Sequence, residues 1–373
     1  MRLPYARPMQ ASHARAVLAR TPELECAQLD SLISAAGGEP ERALEARIIT
    51  SVALAPATRR FLIAPDLSAI DSDLAWLAAS GARILLCSDA HYPQLLRQIA
   101  LAPPALYVLG SVAALSSAQL AMVGSRNPTR AGRETAVEFA AWFARMGLTV
   151  TSSLASGIDA ACHEGALRGG GASIAVCATG LDRVHPAEHV ELARRISERG
   201  ALVSEFPPRT VAQRAHFARC NRIISGLSLG TLVVEAARHG SSLSTARLAA
   251  EAGREVFAIP GSIHSALSRG CHQLIKSGAK LVEEAADVLT ELRISLPKEE
   301  LTPPEAVAEK PAALDKEYEM LLDALELEPA TIDVLVARTR LPAESVASML
   351  LILELEGRVA ALPGGRYGPY LKL

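Results

Sequence analysis

Apolar positions along the chain fall into two rhythms. Short, nearly continuous apolar runs recur at 119–124, 148–152, 172–177, 201–204, 230–235, 255–259 and 280–282, and stretches with helical spacing separate them. Strands apolar on both faces that alternate with helices predict a parallel sheet covered on both sides. Two more strands, Arg83–Cys87 and Ala105–Leu109, precede the series, and a helix over Ser72–Ser80 leads into them. The expected class is therefore α/β, with an extended Rossmann-like parallel sheet domain over 66–295. Ahead of it, helical patterns at Ala14–Leu18, Cys26–Ala35, Pro40–Ile49 and Ala57–Ala64 predict a small all-helical domain over 1–65. Residues 296–314, rich in Pro, Glu, Ala and Lys, read as a linker. Helical spacing returns at Glu317–Leu325, Ile332–Arg338 and Pro342–Glu356, and a hairpin pattern follows through Arg366-Tyr367. Three helices and a hairpin predict a C-terminal winged-helix domain over 315–373.

Composition narrows the function. A net charge of −2 gives no global basic signature, so a nucleic-acid site has to be a local patch. Residues 118–295 carry 20 Arg+Lys against 16 Asp+Glu, whereas residues 316–373 carry 6 against 9. The expected winged helix is thus acidic, with no basic residue between Pro342 and Glu356, which argues for protein contact rather than DNA reading. Aromatics make up 4%, too few for serial stacking on a single strand. The six cysteines form no CxxC pair and read as reduced small hydrophobes of a cytoplasmic protein. No apolar run reaches membrane-spanning length. GxGxxG, GxxxxGK[ST] and GxSxG are absent, which disfavours a dinucleotide cofactor, a Walker-type NTPase and a serine hydrolase; no cofactor or metal is expected.

Candidate chemistry gathers where strands end. Met122-Val-Gly-Ser-Arg-Asn-Pro-Thr129 is a strand, a glycine turn and a helix start. Free backbone N–H groups, Ser125 and the Arg126 fork suit a phosphate there. Asp159 and His163, four apart on one helix, read as a helix cap and its partner before they read as an acid–base pair. The segment 209–222 holds Arg209, Arg214, Arg219 and Arg222 with Phe217 and Asn221 interleaved and no acidic residue, which fits phosphate neutralisation beside base stacking. Ser241, Ser242 and Thr245 open a helix as a second anion cradle. Lys276 ends a helix, where the dipole alone would place it.

These stretches resemble the DNA-processing protein A family. The resemblance is carried by Val123–Thr129, Ser156-Gly-Ile-Asp159, Thr179-Gly-Leu181, Ser204-Glu-Phe-Pro207, Asn221–Ser228, Val233–Ala236, Gly253–Gly261 and Gln273–Ala279, in order across 85–292. The N-terminal helices, of sterile-alpha-motif or helix-hairpin-helix size, and the winged helix match the family's accessory domains. The resemblance implies a non-catalytic, homodimeric protein that binds single-stranded DNA and loads the RecA recombinase onto it during natural transformation. Carried over by motif, Gly124, Ser125 and Arg126 form the phosphate turn. Arg214, Phe217, Asn221 and Arg222 form a basic, stacking wall; Ser241, Ser242 and Thr245 form the second cradle; and Lys276 is a phosphate partner. Val288, Leu289 and Leu292 are the expected dimer or RecA contacts. Ser156 and Cys220 stand where the family usually has basic residues, and Arg214 and Arg219 are the expected compensation. Two other readings remain. One is a nucleotide N-glycosidase of the lysine-decarboxylase-like group, with Glu235 as its acid. The other is a protein-interaction scaffold built on the winged helix.

Overall fold

The computed structural model describes residues 10–294, 316–326, 330–355, 358–362 and 364–369. The chain divides into two compact units, Met1–Leu296 and Pro297–Leu373. The linker expected over 296–314 lies outside the described residues. In the first unit five helices come first: α1 (Ala11–Arg20), α2 (Cys26–Ala35), α3 (Ala46–Ser51), α4 (Pro56–Ile63) and α5 (Leu67–Ser80). There follow β1 (Arg83–Leu86), α6 (Gln94–Arg97), β2 (Ala105–Gly110), β3 (Gln119–Val123), α7 (Arg130–Arg145), β4 (Thr149–Ser153) and α8 (Ile158–Arg168). The unit continues with β5 (Ser173–Val176), α9 (Val190–Arg199), β6 (Ala201–Ser204), α10 (Arg214–Leu227), β7 (Gly230–Val233) and α11 (Ser242–Glu251), and closes with β8 (Glu255–Ala258), α12 (Arg269–Lys276), β9 (Lys280–Leu281) and α13 (Ala285–Glu291).

Nine strands form one sheet in the order β1-β2-β6-β5-β4-β3-β7-β8-β9. The pairings β1–β2 and β2–β6 are antiparallel and all others are parallel. Each apolar run of the sequence supplies one strand; β3, β5, β6 and β7 are buried throughout, whereas β8 is exposed at Glu255 and the two-residue β9 at both positions. In β3 the pleat sends Leu120 and Met122 into one core and Ala121 and Val123 into the other. Each large apolar side chain so buried contributes roughly 1.5–3 kcal/mol. Val17, Leu18, Leu29, Leu32, Ile49 and Leu62 of the leading helices join Leu85, Leu86 and Leu96 in one hydrophobic cluster. The helices over 1–65 thus share their core with the antiparallel edge of the sheet. Cys26 and Cys87 face each other across this contact, with Cα atoms 6.0 Å apart. The other four cysteines are free and buried.

The second unit has α14 (Lys316–Glu326), α15 (Ile332–Thr339) and α16 (Ala343–Leu355), with strands β10 (Ala330–Thr331), β11 (Val359–Leu362) and β12 (Arg366–Pro369). Its antiparallel sheet runs β10-β12-β11, and Leu321, Leu335, Val346, Leu350, Leu353 and Val359 form its core. This is the winged helix that the spacing predicts. No described helix is long and apolar enough to cross a membrane.

Candidate nucleic-acid interface

The order of the parallel strands reverses at β3, which has β4 on one side and β7 on the other. In open α/β sheets the crevice beyond the carboxyl ends of such strands is where ligands sit. Here a groove of about 740 Å³ opens there. Its walls are Gly124, Ser125, Arg126 and Asn127 after β3, His185, then Gln213 just ahead of α10, Arg214, Phe217 and Asn221 on α10, and Ser241, Ser242 and Ser244 at the start of α11. Beneath it a slot of about 30 Å³ adds Ser153, Asp159, Cys220 and Thr245. The structure therefore brings together Gly124, Ser125, Arg126, Arg214, Phe217, Asn221, Ser241, Ser242 and Thr245 from three separate segments. Asn127, His185, Gln213, Ser153 and Ser244 are additional to the expected set.

The Arg126 guanidinium lies 5.0 Å from the centroid of the Phe217 ring. Arg214 is exposed, and neither it nor the hydroxyls of Ser241, Ser242, Ser244 and Thr245 has a hydrogen-bond partner among the described residues. Ser242 is only 5% and Thr245 only 1% exposed, so these hydroxyls are inward-held polar groups at the groove floor.

The turn itself differs from the expected open cradle. Asp159 Oδ1 accepts from Gly124 N at 3.3 Å, and Ser125 Oγ accepts from Asn127 N at 3.1 Å. Glu235 accepts from Thr129 N at 2.9 Å and from Thr129 Oγ1 at 2.6 Å, while Thr129 Oγ1 accepts from Gly132 N at 3.0 Å. A side chain on Gly132 would overlap the Glu235 carboxylate, so glycine is what lets that carboxylate sit over the end of α7. The positive end of α7 is thereby filled from within the protein. The backbone N–H groups of Ser125 and Arg126 remain available. Both Glu235 oxygens are committed to Thr129, which counts against the glycosidase reading.

Asp159 and His163 do not bond each other as expected. His163 is held by Ser173 Oγ at 2.7 Å and Ser153 O at 3.0 Å, and burial lowers its pKa to about 4. Asp159 also accepts from Ser153 Oγ. Burial raises its pKa to about 7, against the Ser153 hydroxyl, the Gly124 N–H and the Arg126 charge, which all favour the carboxylate.

Two expected DNA contacts lie elsewhere. Arg222 faces the opposite side of α10 and is 16% exposed. It forms a two-pronged pair with Glu205 at 3.0 and 2.7 Å and donates to Leu101 O at 2.8 Å. Lys276 is exposed on α12 and lines neither the groove nor its slot. Arg219 also pairs with Glu205, at 2.8 Å, so of the two expected compensating arginines only Arg214 reaches the groove. Cys220 is buried, and Ser156 donates to Glu188 at 2.9 Å. Val288 and Leu289, expected at an interface, are buried at 0% and 1% in the core against α7, because an apolar pair on a short helix satisfies a core as readily as a partner. Leu292 is half-buried against the same cluster.

The family described as DNA recombination-mediator protein A matches residues 83–293, and the DprA winged helix domain matches residues 303–365. Protein Smf of Escherichia coli (strain K12) is 43% identical over 314 residues, covering 82% of this chain and 82% of that protein. DNA processing protein DprA of Streptococcus pneumoniae is 43% identical over 203 residues, 54% of this chain and 72% of that one. The X-ray structure of DprA from Streptococcus pneumoniae superposes with a TM-score of 0.66 at 32% identity, covering 76% of this chain and 99% of that one. DNA processing protein A from Helicobacter pylori, whose structure concerns its single-stranded DNA binding mode, shares the fold at a TM-score of 0.53 and 23% identity, over 58% of this chain and 97% of that one. The chain belongs to the DNA recombination-mediator protein A family, the DprA/Smf proteins of DNA processing.

Proposed function

We propose that this protein binds single-stranded DNA in the groove beyond β3 and β7 and loads the RecA recombinase onto the bound strand, with no catalytic step of its own. One observation carries the binding: Arg126, Arg214, Phe217, Asn221 and a row of hydroxyls without partners among the described residues converge on a single groove. Guanidinium and N–H groups meet phosphate, a ring beside a guanidinium stacks on any base, and hydroxyls and an amide adapt to either. The groove lies where the family's motifs lie, and the Helicobacter pylori relative is described as a single-stranded DNA binder. Loading of RecA, action as a cytoplasmic homodimer and a role in natural transformation rest on the family resemblance.

Two measurements test the proposal. Anisotropy of a labelled oligonucleotide is expected to show preference for single strand over duplex; equal affinity for both defeats it. RecA ATPase on DNA pre-coated with single-strand binding protein is expected to recover when the full chain is added. No recovery removes the loading step and leaves binding intact.

A further inference from the structure

The cations of the groove are balanced from beneath. Asp159 is 8% exposed at the floor and takes the Gly124 N–H; Glu235 takes the N–H and hydroxyl of Thr129. These two carboxylates claim two backbone donors that an anion at the turn would use, and one of them occupies the positive end of α7. With both ionised, Arg126, Arg214, Asp159 and Glu235 sum to zero formal charge. What the groove still offers an anion is two guanidinium groups, the N–H groups of Ser125 and Arg126, and the neutral hydroxyls of α11.

That inventory suits one negative charge and opposes two. A singly charged phosphate can spread its oxygens over these donors. A doubly charged phosphate brings a second charge toward the buried Asp159 carboxylate, where beyond Arg126 and Arg214 the groove lining adds only His185 as a basic side chain, and like charges in such surroundings raise each other's ionisation cost. The α11 hydroxyls add hydrogen bonds without adding charge. We infer that the groove selects a singly charged phosphodiester, the linkage inside a strand, over a doubly charged phosphomonoester such as a strand's 5′ end or a free nucleotide, and that Asp159 sets this preference. The inference rests on the phosphate-binding reading of the groove. Its consequence is that the protein engages a strand anywhere along its length and is not displaced by cellular mononucleotides.

The test uses two ligands that differ by one methyl group and one charge: thymidine 5′-monophosphate and its 5′-methyl ester. Each is titrated into the full chain at pH 8 by calorimetry. The methyl ester is expected to bind about tenfold more tightly, the effect of a like-charge interaction of about one pKa unit. Equal affinity, tighter binding of the monophosphate, or failure of both to bind at millimolar concentration overturns the inference. In Asp159→Asn, which keeps the side chain's shape, the ratio is expected to fall toward one; an unchanged ratio in a folded variant removes Asp159 from the role. If that variant does not fold, the ratio in the unmodified protein still decides the selectivity. A chain that binds an oligonucleotide yet prefers the monophosphate sinks this inference alone. A chain that discriminates between the esters yet ignores oligonucleotides sinks the DNA reading instead.

Discussion

The two faces of α10 carry arginines of opposite fate. On the groove face, Arg214 is exposed and has no partner among the described residues, beside Phe217 and Asn221. On the other face, Arg219 and Arg222 converge on Glu205, whose side chain is 3% exposed. Just ahead of the helix, Arg209 pairs with Asp73, a carboxylate with no exposure that also receives Arg20. The most basic segment of the chain is therefore mostly neutralised by two buried acids that come from other segments. Local charge density measures neither binding capacity nor structural role until the partners are known.

The sharpest way to break this comparison is to reverse one arginine on each face. Arg222→Glu leaves Glu205 buried without its two-pronged partner and is expected to cost about 3–5 kcal/mol of stability. Arg214→Glu is expected to stay within about 0.5 kcal/mol of the unmodified protein. Urea unfolding of both variants decides it. Comparable losses would mean that the two faces are not different in kind.

DNA affinity should show the reverse order. Phe217→Ala is expected to lose about 1–3 kcal/mol of binding through stacking. With Arg126 and Arg214 as the groove's cations, the slope of log affinity against log salt for a short single strand is expected near −1.4, about 0.7 per phosphate met, and each arginine-to-alanine change should remove about 0.7 of it. A slope several times steeper would show that cations outside the groove dominate. Lys276→Ala, outside the groove, should leave the slope unchanged.

Part of this was legible in the sequence. The strands of the sheet lie where the apolar runs lie, and the four buried throughout, β3, β5, β6 and β7, carry few polar residues because both faces are covered. The glycine turn and the serine-rich helix start were legible because small and hydroxylated residues gather where backbones approach closely. The motif put Arg222 in one wall with Arg214, Phe217 and Asn221, although helical spacing separates them: 214, 217 and 221 recur on one face, and 219 and 222 fall on another. What the spacing does not contain is Glu205, which lies beyond the end of β6 and meets α10 only through the fold. Asp159 misled for the same reason. Its neighbour four residues along the helix is His163, but the groups it bonds, Gly124 N and Ser153 Oγ, arrive from the ends of β3 and β4.

The smallest expected effect concerns pH, because two buried groups beneath the groove oppose each other. Asp159 has its pKa raised from 3.8 to about 7, so the folded state holds a proton there that the unfolded chain releases. Its contribution to stability is full below about pH 4 and is lost as pH rises to about 7. His163 has its pKa lowered from 6.5 to about 4, so the unfolded chain takes up the proton first. Its contribution is full above pH 6.5 and is lost as pH falls toward 4. Each slope is at most about 1.4 kcal/mol per pH unit, and between about pH 4 and 6.5 the two have opposite signs. The urea midpoint of the unmodified protein is therefore expected to show little net contribution from this pair across that window. Asp159→Asn should uncover a rise with pH, and His163→Gln a fall that continues to about pH 7. Parallel pH profiles for all three proteins would mean that these groups are not buried as a pair under the turn. The carboxylate floor of the groove would then be open to water, and the groove face of α10 would differ from the opposite face only in its arginines.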